Sequence, residues 1–164
     1  MICEEMLVRW LQKAYSLENE GIVLLSKHRE DANKAEMPDI ESMVSEHLEL
    51  TKRHMKLIKA EIDRLGSVIA VSSHFAELKD EGKIVETYGA NEQIINDLIE
   101  EHSREHLEKA RYLAIAHLAE ICGEDDVRDN ILEIVDEEIE MASRLEEFLL
   151  KAVDRDVDRK IEAL

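Results

Sequence analysis

From Asn91 to Cys122 the chain runs without a glycine or proline. Patterned at the helical period, such a stretch reads as one long helix. Followed at alternating steps of three and four, its stripe is Ile94, Leu98, Glu101, Glu105, Glu108, Tyr112, Ile115, Ala119 and Cys122. Both ends of the stripe are apolar, so it faces a core. Yet carboxylates occupy its middle, and burying even one unpaired carboxylate is very costly. Either the helix turns these glutamates to water, or positive charge meets them inside.

The same conflict recurs elsewhere. A helix over about 3–28 carries the stripe Leu7, Leu11, Ala14, Glu18, Ile22, Leu25, with Gly21 beside it as a site of close approach or a bulge. Pro38 opens a helix to about residue 65, capped by Gly66, whose stripe is Ile40, Val44, His47, Thr51, His54, Ile58, Ile62. A last helix over about 126–152, with a frayed continuation toward Leu164, shows Ile131, Ile134, Glu138, Met141, Leu145, Phe148, Ala152. Arg29 to Glu36 is charged and reads as a loop. Asn91 is the expected cap of the third helix and Gly123 its terminator. Ser67 to Gly89 is less regular, with a short helix expected from Val68 to Lys79; at that length it carries the chain back along the bundle, making the second and third helices parallel. Aromatics are scarce, with one Trp, two Phe and three Tyr, and there is one proline. The fold expected is all-α: one domain over 1–164, an antiparallel four-helix bundle with one long crossover between its second and third helices.

A net charge of -18 repels nucleic acid and anionic membranes and attracts cations. No apolar run approaches the ~20 residues that span a bilayer. Met1-Ile2-Cys3-Glu4-Glu5 lacks the features of a signal peptide. Cys3 and Cys122 have no metal-type spacing and suggest no framework, which points to a reducing compartment, the cytoplasm.

Level arguments bring the odd polar residues together. With the first loop centred near residue 33, Glu18 faces about position 48, between His47 and Thr51. With the last turn near 124–125, Glu108 is level with about position 141, so Glu138 lies within one turn, ~5 Å. The layer expected is Glu18, Glu105, Glu108 and Glu138 with His47 and His54. Oxygen-rich donors with one or two imidazoles suit iron(II) or manganese(II), zinc being a further possibility, and a bridging carboxylate can hold two ions. Thr51 is expected to bond its own helix backbone, and Met141 to pack. Glu101 and His102 lie beyond the layer in a solvated or supporting role, and His102 with His106 could clip a zinc ion at the surface. Tyr15 and Tyr112 are expected to support the carboxylates through their hydroxyls. The competing expectation is a non-enzymatic bundle that dimerises or binds a partner around a vestigial site.

Ala14-Tyr15-Ser16-Leu17-Glu18, His47-Leu48-Glu49-Leu50-Thr51 with His54, Glu105-His106-Leu107-Glu108 reaching Tyr112, and Asp136-Glu137-Glu138 together resemble the YciE/YciF family of the ferritin-like superfamily. The resemblance implies a ferritin-like four-helix bundle, often a homodimer or larger homo-oligomer, with a two-metal carboxylate centre whose physiological task is poorly defined. It nominates Glu18, Glu108 and Glu138 as ligands, with His47, Thr51 and His54 contributing from the second helix. The function expected from the layer and the resemblance together is a di-iron or di-manganese centre whose reduced metal reacts with dioxygen or peroxide, in iron oxidation or oxidative-stress protection. Two positions depart from the family's pattern: Leu50 and Ala142 stand where acidic residues are common.

Overall fold

The structure is a computed structural model that describes residues 2–69 and 89–163. Four helices account for nearly all of them: α1 (Ile2–Lys34), α2 (Pro38–Arg64), α3 (Ala90–Cys122) and α4 (Asp125–Glu162). Most of the expected crossover, including all but the start of the helix proposed for Val68 to Lys79, lies outside the described residues.

Contacts between helices fix the directions. Along α1 and α3, Cys3 meets Cys122, Glu18 meets Tyr112, and His28 meets Glu101. Along α2 and α4, Asp39 meets Arg155, Glu46 meets Arg144, and Glu61 meets Asn130. Both pairs are antiparallel, as are the two hairpins α1–α2 and α3–α4. Helices α2 and α3 therefore run parallel, as the long connection requires.

The loop expected from Arg29 to Glu36 is instead helix up to Lys34. No glycine or proline stops α1. Its terminator is Glu36, a non-glycine residue at φ 56°, flanked by the Met37 N–H to Ala32 carbonyl bond and the Glu36 N–H to Asn33 carbonyl bond. This is the bond pattern of a glycine-terminated helix end built without glycine. Gly66 (φ 69°) and Gly123 (φ 76°) close α2 and α3 by the same pattern. At the start of α3 the cap is Gly89 rather than Asn91, with the Glu92 carboxylate accepting the Gly89 N–H; Asn91 lies inside the helix and accepts from Arg159. Helix α4 continues unbroken to Glu162.

Cys3 and Cys122 form a disulfide, with Cα atoms 5.6 Å apart across 119 residues of sequence. This corrects the expectation that they stand unpaired. A separation that large leaves no local signal; only the antiparallel register of α1 and α3 brings the two helix ends level. The cysteines thus no longer argue for a reducing compartment. Among the described residues, no helix is long and apolar enough to cross a membrane.

The interior is divided. At one end Leu7, Leu11, Ile58, Ile62, Ile115, Ile131 and Ile134 form an apolar cluster. At the other, Leu25, Met43, Val44, Ile94, Leu98, Met141 and Leu145 form a second. Between them lies a belt of buried polar side chains.

Candidate metal centre

All four helices contribute to the belt at positions that their apolar stripes force inward. Glu18, Glu105, Glu108 and Glu138 are at most 6% exposed, and His47 and His54 at most 3%. Every ligand candidate named from sequence is thus inside, and the register decides which of them meet. Because α1 continues to Lys34, its hairpin with α2 is centred near Glu36 rather than residue 33. A shift of about three residues in the loop moves the facing position by about twice that, so Glu18 lies beside His54 instead of between His47 and Thr51.

Glu18, His54 and Glu138 each offer a ligand atom within 4.8 Å of the others, and so do Glu105, Glu108 and Glu138. Glu138 belongs to both groups. His54 turns Nδ1 toward this cluster, 3.0 Å from Glu138 Oε1 and 4.0 Å from Glu18 Oε1. Its Nε2 is held 2.6 Å from Glu137 Oε2, and Glu137 is in turn bonded by Arg53. A carboxylate on the far nitrogen is how metal-binding imidazoles are commonly oriented. His47 belongs to neither group. Its Nε2 lies 2.9 Å from Glu105 Oε1, and its Nδ1 3.2 Å from Glu101 Oε2.

The supporting residues separate cleanly. Tyr112 donates its hydroxyl to Glu18 Oε1. Thr51 bonds the His47 carbonyl at 3.1 Å, within its own helix. Tyr15 packs against the first apolar cluster, and no hydrogen bond to a carboxylate joins it to the belt. Glu101 is fully buried rather than solvated, bonded to both His47 and His28. His102 and His106 stack edge to face, ring centroids 4.7 Å apart, beside a cleft between α3 and α4 whose lining includes Glu105 and Glu138. Arg104 was not anticipated: its guanidinium lies 2.7 Å from Glu108 Oε1 and donates to the Leu17 carbonyl. It occupies the space over Gly21, where a Cβ would come within 2.6 Å of Nη2. Gly21 therefore serves a close approach, of a side chain rather than a helix.

Burial dominates the electrostatics. It lifts Glu18 to about 7, with the nearby Glu138 adding to the rise. It lifts Glu108 and Glu138 to about 8 each, helped by Glu18 for the first and by Glu105 for the second. For the histidines burial acts downward, but hydrogen bonds to carboxylates win, raising His54 to about 9 and His47 to about 10. Glu101 is the exception: burial acts to raise it, and His28 and His47 hold it below the ordinary carboxylate value. Even so, Glu18 Oε2 and Glu105 Oε2 are buried without a hydrogen-bond partner, and Glu105 Oε1 has only the His47 contact at 2.9 Å. Orphaned carboxylate oxygens are rare and expensive unless a cation answers them. The donor set could hold a hard or borderline divalent ion.

These shifts predict a pH dependence for the metal-free protein. Raised groups contribute stability that is complete below their unfolded values, 4.5 for glutamate and 6.5 for histidine, and lost as pH rises through the folded values of about 7–8 and 9–10. In chelator, the melting temperature should therefore fall steadily from pH 6 to pH 9. A divalent ion replaces the displaced protons, so the stabilisation it adds should grow over the same range. Calorimetric melts with and without manganese(II) at three pH values test both slopes.

Comparison with known proteins bears on this arrangement. No curated protein matches the chain. A crystal structure of a protein from Xanthomonas campestris pv. campestris superposes with a TM-score of 0.79 at 23% identity, covering 98% of this chain and 99% of that one. At that identity the likeness speaks for the fold. A family model matches residues 3–158. Nearly the whole bundle lies within that match, and the chain belongs to the family described as "Domain of unknown function (DUF892)".

Proposed function

We propose that the belt is a two-ion carboxylate centre, of iron(II) or manganese(II), whose work is to react with dioxygen or peroxide. The observation that supports this most is the shared position of Glu138, which joins Glu18 and His54 on one side to Glu105 and Glu108 on the other. One carboxylate common to two adjacent donor groups is the arrangement a bridged pair of cations needs. When bound, such ions supply the electrons that reduce dioxygen or peroxide.

The chain's own residues do the rest. Glu18 and His54 would hold one ion, Glu105 and Glu108 the other, with Glu138 available to both. Glu137 and Arg53 fix the tautomer and aim of His54. Tyr112 and Arg104 orient Glu18 and Glu108 by hydrogen bonding. His47, bonded between Glu105 and Glu101, holds a proton beside the centre. The two flanking apolar clusters keep bulk water away, which strengthens every charge interaction inside.

Metal analysis of protein purified without chelator, followed by titration with iron(II) under anaerobic conditions, tests the reading. The expected result is saturable uptake of about two equivalents per chain, followed by an oxidation signal on adding dioxygen or peroxide. No bound metal and no uptake would favour the alternative, a non-enzymatic bundle with a vestigial site.

A further inference from the structure

A second polar cluster lies where α1 meets the first half of α3, away from the belt. His28 and Asp97 form its buried part, 1% and 3% exposed. His28 Nδ1 is 2.5 Å from Glu101 Oε1. Its other nitrogen, Nε2, faces outward toward Asp97 Oδ1 at 3.5 Å and Glu100 Oε2 at 3.7 Å. Neither His28 Nε2 nor Asp97 Oδ2 has a hydrogen-bond partner.

The spacing is informative. At 3.5 and 3.7 Å the contacts are longer than an ordinary hydrogen bond. Each is near the ~3.4 Å that separates two donors around a tetrahedral cation with bonds of ~2.0–2.1 Å, whereas the Asp97 and Glu100 carboxylates stand more than 4.8 Å apart, so Glu100 must turn inward to complete the set. Glu101, on the opposite ring nitrogen, occupies the place that an orienting carboxylate takes behind a metal-bound imidazole. Asp97 Oδ1 already accepts from the Gln93 amide at 2.7 Å, which fixes the carboxylate and leaves Oδ2 to spare. The Glu100 side chain is 62% exposed, so it is free to swing inward. The carboxylate of Asp31 adds to the negative potential at Asp97.

We propose that His28 Nε2, Asp97 and Glu100 form a second divalent-cation site, separate from the belt and completed by water, with a preference for a borderline ion such as zinc(II). One imidazole and two carboxylates with an open position suit that ion. The competing account is a buried imidazolium paired with its neighbours, which needs no metal. A chain of contacts links the two places, from His28 through Glu101 and His47 to Glu105, so an ion here also sits at the outer end of a buried path to the belt.

The test is equilibrium dialysis of the full-length, chelator-treated chain against zinc(II) alone, with Glu138→Gln to disable the belt and Asp97→Asn to disable this cluster. Glu138→Gln should keep about one equivalent, and adding Asp97→Asn should remove it. Glu100→Gln, at an exposed position with no burden on folding, should weaken that equivalent by about tenfold. Loss of all zinc in Glu138→Gln alone would overturn the second site and leave the belt standing. Zinc retained in Glu138→Gln and lost in Asp97→Asn would support this site even if the belt holds no metal. Zinc binding by Asp97→Asn and Glu100→Gln indistinguishable from the parent would refute the inference, as would no zinc in any form.

Discussion

Glu138→Gln should shift the melting temperature in opposite directions with and without metal. In chelator at pH 9 the parent carries a buried carboxylate whose pKa has been pushed from 4.5 to about 8, by burial first and Glu105 second. At ~1.4 kcal/mol per unit, the charged form costs on the order of 2–4 kcal/mol once the coupling among neighbouring groups is allowed for. A neutral amide of the same size removes that cost. It can accept from His54, as Oε1 does now at 3.0 Å, and donate toward Glu105. The variant should therefore melt higher than the parent at pH 9 and by less at pH 6, the difference vanishing only as pH falls below the unfolded value of 4.5, where the parent is protonated folded and unfolded alike. With manganese(II) or iron(II) at a thousand times its dissociation constant, the parent gains about 4.1 kcal/mol. The variant, lacking the carboxylate common to both donor groups, should gain little, and the order of melting reverses. If metal raises both proteins equally, Glu138 is not a shared ligand. If metal raises neither while the variant still melts higher in chelator, the belt is only a burden carried by the fold.

The fold was legible because the helical period runs through every long segment, and Pro38, Gly66 and Gly123 mark three of the helix ends where sequence reasoning looks for them. The belt was legible for a related reason: a glutamate interrupting an apolar stripe stands out against its neighbours. Four of the nominated glutamates and both histidines are buried. What failed was resolution along the axis. Glu36 ends α1 in a left-handed conformation that composition does not advertise, so a sequence reading centres the hairpin about three residues early and levels Glu18 with about position 48, between His47 and Thr51, rather than with His54. The same error put Arg29 to Glu36 in a loop and left His28 near a helix end rather than in the core. For Glu101 the sequence leaves a solvated or a supporting role open; the structure buries it, bonded to His28 and His47. Arg104 could have been suspected from Gly21, since a glycine within a helix asks what lies against it. The cysteine pair could not, because contact across 119 residues depends on a register known only after folding.

Removing that pair should produce the largest loss of stability available to a substitution far from the belt. The bridge closes 119 residues of chain, and constraining the unfolded state over such a loop contributes ~5 kcal/mol in the chain-entropy account, with measured effects more often ~2–5 kcal/mol. It also ties the first turn of α1 to the last turn of α3, next to Leu7, Leu11, Leu118 and Ala119 in the first apolar cluster. Helix ends fray readily when untied, so loss of the bridge should loosen that end of the bundle first. For a chain of this size the expected fall in melting temperature is roughly 5–15 °C, read by comparing Cys3→Ser/Cys122→Ser with the parent and avoiding reductants that would also touch the metal. Metal stoichiometry should not change. Glu18 and Glu108 stand about fourteen residues along their helices from the bridge, ~20 Å at the helical rise, with the whole apolar cluster between. A melt unchanged within ~1 °C would show that the helix ends are held by packing alone, whereas lost metal uptake would show that the register of α1 against α3, and with it the meeting of Glu18 and Glu108, depends on the covalent tie.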